Sequence, residues 1–153
     1  MNEYLKSAIE KFDAEEMKDG DMLTHDWMAW ALEIPAVTDI EDVKQNQFLV
    51  MERVEEFKNY LLVERKIALE TCRGIGYRIV PPAEQARHAA YESMRMVKRG
   101  LEKGMKIITN TRTEALSADE RKTHTDTEIR LAGVAGMMKK QRRDVFALIN
   151  KRD

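Results

Sequence analysis

Apolar residues recur at helical spacing through most of the chain and switch to strand spacing in one short window. Leu5, Ile9, Phe12 and Met17, with Ala8 beside them, predict an amphipathic helix over residues 3–18. Gly20 suits its C-cap. Asp21-Met22-Leu23 reads as a short bridge or strand. Thr24 is a good N-cap for a second, short helix, and Asp26 sits in its first turn. That helix carries Trp27, Met28, Trp30 and Ala31, and both tryptophans read as core. Pro35 ends it. Residues 35–44 are a polar connection, with Thr38 or Asp39 as a cap for the next helix. Val50, Val54, Phe57 and Leu61 then form a buried stripe and predict a long helix over 45–64.

After Lys66 the period changes. Ile67, Leu69 and Thr71 alternate with Ala68, Glu70 and Cys72, and Tyr77, Ile79 and Val80 resume an extended pattern past Gly74 and Gly76. Two strands joined at Arg73-Gly74-Ile75-Gly76 make a β-hairpin, with both glycines supplying the turn. Pro81-Pro82 stops the sheet and can open a helix. Ala86, Ala90, Met94, Val97, Leu101, Met105 and Ile108 carry a helix over 83–108. Residues 109–117 are polar and read as a loop. Ser117 and Glu120 have capping-box spacing and start a last helix that runs toward Lys151. Leu131, Val134, Met138, Val145 and Leu148 fit a heptad, with Gln141 at the missing core position.

The predicted fold class is therefore mainly α with a small β-hairpin. The order helix, short strand, helix, helix, strand, glycine turn, strand is that of a winged helix. The segment Arg73-Gly74-Ile75-Gly76-Tyr77-Arg78-Ile79 closely resembles the wing hairpin of the DNA-binding effector domains of two-component response regulators, which carry an Arg-Gly-x-Gly-Tyr stretch there. The resemblance covers 69–80 well and 20–80 loosely. It implies a winged-helix domain at 1–80; the helical pattern that follows makes 81–153 a helical extension, and its heptad suits oligomerisation. The resemblance also implies contact with double-stranded DNA.

Charge changes this picture. The chain carries a net −1, but residues 1–60 hold 6 Lys/Arg against 15 Asp/Glu, and residues 61–153 hold 20 against 12. One half thus suits a polyanion or an acidic partner, or the halves attract each other. In a winged helix the helix before the wing enters the major groove. Here that helix exposes Glu52, Glu55, Glu56 and Glu64 against Arg53 and Lys58, and acidic side chains are repelled by phosphates. The usual reading residues cannot be carried over to it, although Arg53 and Lys58 remain candidates. Arg73 and Arg78 are candidate wing contacts to phosphate or minor groove. A second basic stripe follows at Arg87, Tyr91, Arg95, Arg99, Lys103 and Lys106, at steps of three and four.

Other chemistry is sparse. His25, His88 and His124 lack metal-ligand spacing, and Cys72 has no local base. No phosphate-binding glycine loop precedes a helix. The single cysteine, the absence of a leader-like start and the absence of an 18-residue apolar run point to the cytoplasm. The expectation is a DNA-binding protein without catalysis, cofactor or metal, a small prokaryotic or phage-type regulator that forms a homo-oligomer. The alternative is a protein-binding winged-helix module or inhibitor that engages a basic partner through Glu52, Glu55 and Glu56.

Overall fold

The computed structural model describes residues 2–37 and 42–150. Its elements are α1 (Glu3–Ala14), β1 (Met22–Thr24), α2 (His25–Ala31), α3 (Asp42–Glu64), β2 (Ala68–Cys72), β3 (Gly76–Val80), α4 (Pro82–Thr109), a 3-10 turn at Thr113–Ala115, and α5 (Ala118–Ile149). The protein is mainly α with one small antiparallel sheet, as the hydrophobic pattern predicts. No helix among the described residues is long and apolar enough to cross a membrane. The cap expected at Thr38 or Asp39 lies outside the described residues. The chain divides into two compact units, Met1–Gln85 and Ala86–Asp153.

The N-terminal unit is built around a filled core. Leu5, Ala8, Ile9 and Phe12 of α1 meet Val54, Phe57 and Leu61 of α3, the stripe expected from their spacing. Leu23, Leu69 and Ile79 add the inner face of the sheet, and Met28, Ala31 and Leu32 close it from α2. Phe12 sits edge-on to Phe57, with ring centroids 6.1 Å apart, and Trp27 packs against both. Trp30 departs from its expected core role. It is 54% exposed, and its ring stacks under the Lys11 ammonium at 4.6 Å.

β3 is the central strand, pairing with β2 on one side and β1 on the other. The hairpin register sets Leu69 opposite Ile79 and Cys72 opposite Gly76. The turn is tighter than the sequence suggests. Ile75 N donates to Cys72 O at 3.1 Å, and Gly74 at φ +75° supplies the left-handed residue. Gly76 has a different task. It lies in β3 opposite Thr24, and a Cβ there would fall 2.0 Å from Leu23 O. Its lack of a side chain lets β1 approach.

α1 ends at Ala14, four residues short of the expected 18, and the chain reverses through Glu16 at φ 49°. Gly20, at φ 90°, serves the turn into β1, and its N–H bonds Ile79 O. α3 starts earlier than residue 45. In the C-terminal unit the capping box is present: Ser117 Oγ accepts from Glu120 N at 3.3 Å, and Glu120 Oε2 accepts from Ser117 N at 2.8 Å. α4 and α5 run antiparallel, because Ile108 meets His124 at one end while Tyr91 and Met94 meet Phe146 at the other.

Candidate binding surfaces

The free face of α3 is set by the buried one. Since Val54, Phe57 and Leu61 face the core, the opposite side presents Phe48, Met51, Glu52, Glu55, Asn59 and Leu62 at helical steps. Phe48 is 74% exposed and Met51 64%. Glu52 has no cationic partner among the described residues, and Glu55 accepts from Lys58 at 2.8 Å.

The cations expected to meet DNA from this unit are mostly occupied. Arg53 Nη1 donates to Leu32 O at 2.8 Å and Glu33 O at 2.7 Å, so it caps the negative end of α2. Its guanidinium also lies 4.4 Å from the Tyr4 ring centroid. Lys58 is held by Glu55 and lies 5.7 Å from the Tyr77 ring. Arg78 does not reach outward as the wing pattern suggests. It donates to Glu70 at 2.8 Å and Glu84 at 2.7 Å, and the bonds to these two carboxylates raise its already high pKa further. Arg73 alone of the four is exposed and unpaired among the described residues.

The acidic set also divides. Glu56 turns away from the free face of α3 toward α1. It accepts from the Tyr4 hydroxyl and from Asn2 Nδ2, and the Tyr4 bond raises the phenol pKa. Glu52 and Glu55 stay on the open face. The spacing of α3 could not separate them, because the partner of Glu56 lies 52 residues away.

The two units differ in charge. Residues 1–85 hold 10 Lys/Arg and 18 Asp/Glu, a net −8, and residues 86–153 hold 16 and 9, a net +7. On α4, Arg95 is bound to Glu92 at 2.7 Å. Arg87, Arg99, Lys103 and Lys106 are exposed and carry no ion pair among the described residues, and Tyr91 is exposed beside them. Two of the histidines have neighbours of their own: His25 sits edge-on to Tyr77 at 6.0 Å, and His124 Nε2 donates to Ile108 O at 2.9 Å.

No protein-family model matches the chain, and no match was found among curated proteins or solved structures.

Proposed function

We propose that this is a non-enzymatic binding protein whose N-terminal unit is a winged-helix-type module that docks on a protein through the free face of α3. The order α1, β1, α2, α3, β2, β3, with β3 central in the sheet, supports the fold reading. The observation that carries the functional reading is the pairing of Phe48 and Met51, both largely exposed, with Glu52 and Glu55 on a helix whose Arg53 and Lys58 are bound internally. Large apolar side chains grouped on a surface mark interaction sites. The unit's net −8 disfavours a phosphate backbone, where each contact depends on Lys or Arg. The matching partner is a protein with an apolar pocket bordered by Lys or Arg.

A second reading keeps nucleic acid as a ligand of the C-terminal unit. The unpaired Arg87, Arg99, Lys103 and Lys106 favour it, since helix-borne cations at these steps can track phosphates. Wing contact would then rest on Arg73 alone. A regulator that touches both a protein and DNA would use the two units separately.

A photo-crosslinking amino acid in place of Phe48, expressed in cells of the source, tests the first reading. It should join the chain to a discrete protein, and Glu52→Lys should weaken that product. Crosslinks from position 48 to nucleic acid, or none at all, would refute it. The same group in place of Arg99 reports on the second reading.

A further inference from the structure

The C-terminal unit has two long helices and almost no interior. Among its described residues only Ile108 is buried. Residues 131–138, Leu-Ala-Gly-Val-Ala-Gly-Met-Met, run for more than two helical turns without a polar side chain. A helix that is apolar all round is normally covered all round. Here one side is met by α4: Ala135 and Met138 line a cavity of about 380 Å³ with Met94, Leu101 and Met105. Ala132, Gly133, Val134, Gly136 and Met137 of that segment are exposed.

We infer that a second copy of this chain packs on one side of the α4–α5 hairpin and completes a four-helix assembly. Helical rotation selects the side. At about 3.6 residues per turn, counted from the residues that face the partner helix, Val97 and Gly104 of α4 and Val134, Val145 and Leu148 of α5 fall on the same side of the hairpin. Arg95, Lys106 and Arg143 fall on the other. One side is thus largely apolar, with Arg130 at its edge about five turns before Leu148, and the other is basic, so two copies can meet on the first while most of their positive charges stay apart. Gln141 lies within the apolar side. A primary amide both donates and accepts, so it can bond its own counterpart across a two-fold axis, which a charged residue could not do.

The size fits a second copy. Helices of 28 and 32 residues give a layer roughly 40 Å long and about 20 Å wide, so about 800 Å² per copy, the area of a standard stable interface. The glycines agree. A Cβ at Gly100 or Gly104 would meet nothing within 4 Å in the chain itself. Glycine inside a helix weakens it by about 1 kcal/mol relative to alanine, so their presence fits a neighbour that crosses closely there. This inference does not depend on docking through α3.

Light scattering of the full chain at tens of micromolar should give twice the chain mass, and the helix-melting midpoint should rise with concentration. Val134→Glu and Leu148→Glu should each weaken self-association at least about tenfold, since each places a charge in the seam. Ile129→Glu should not, although Ile129 is 64% exposed, because it lies on the basic side. Trp27 and Trp30 both lie in the N-terminal unit, so unchanged tryptophan emission shows that this unit stays folded in the variants. A wild-type monomer with a concentration-independent midpoint would overturn the inference whatever the variants do. A Val134→Glu chain that remains dimeric, or an Ile129→Glu chain that dissociates, would overturn the assigned face.

Discussion

The two units spend similar lengths of chain in opposite ways. Among the described residues, 1–85 hold all but one of the buried hydrophobic ones, drawn from three helices and a sheet. The described residues from 86 on form two long helices that share one seam. The first is a core with a surface, and the second is a pair of surfaces awaiting a core. Most cations of the N-terminal unit are tied down by carbonyls and carboxylates, as Arg53 and Arg78 show, with Arg73 an exception. Those along α4 largely are not. A folded interior fixes its side chains in single partnerships, whereas an open helical layer leaves them available for other molecules.

Truncation of a core aromatic should separate the units most. Phe57→Ala should cost about 3–5 kcal/mol, because Phe57 is fully buried between Phe12 and Trp27 and leaves a cavity. Phe146→Ala, half-buried in α5, should cost well under half of that. Urea unfolding followed by tryptophan emission for the first, and by helix signal for the second, would measure both. Equal losses would break the contrast.

Glycine replacement should give opposite signs. Gly76→Ala drives a Cβ against Leu23 O and should destabilise by about 2 kcal/mol or more through strain between β1 and β3. Gly133→Ala meets nothing within 4 Å and should stabilise α5 by up to about 1 kcal/mol. Thermal melts of the two variants would show one midpoint falling and the other rising.

Cation removal should obey the same division on a smaller scale. Arg53→Met strips two charge-assisted bonds from the end of α2 and should cost about 1–3 kcal/mol. Arg99→Ala has no such partner and should change stability by less than about 0.5 kcal/mol. The smallest effect concerns acid. The Ser117 backbone N–H and hydroxyl hold the Glu120 carboxyl below its usual range. A carboxylate depressed in the folded state contributes stability above its unfolded pKa and loses it as pH falls through the folded one. The protection of amides at the start of α5 should therefore fall on acidification below the ordinary carboxylate range in the wild type but not in Glu120→Gln, which has no carboxylate to protonate.

Much of the fold was legible because local rules sufficed. The stripe Val54, Phe57, Leu61, the change of period after Lys66, the glycine hairpin and the Ser117–Glu120 box each depend on residues close in sequence. Long-range partnerships escaped. Gly76 reads as a turn residue until β1, more than fifty positions earlier, is seen to cross it. Trp30 reads as core by composition, yet faces outward under Lys11. Arg78 reads as a wing contact, but Glu70 across the hairpin and Glu84 at the start of α4 claim it. The candidate surfaces were legible only as sets of charged residues. Which ones are free depends on carbonyls and carboxylates brought near by the fold.

If α3 docks on a protein and any duplex lies along α4, neither the α3 face nor Arg73 of the wing meets phosphate. Binding of the full chain to a random DNA duplex, over a series of salt concentrations, tests this most directly. The proteins to compare are the wild type, Arg73→Ala and the double variant Glu52→Gln/Glu55→Gln. All three should bind with the same affinity, within about twofold, and the same salt slope, because none of these side chains approaches phosphate. Any affinity present would come from α4, and Arg99→Ala would make its slope shallower by about one unit. Tighter binding by the double variant, together with a shallower slope for Arg73→Ala, would place α3 and the wing on DNA and contradict the proposal.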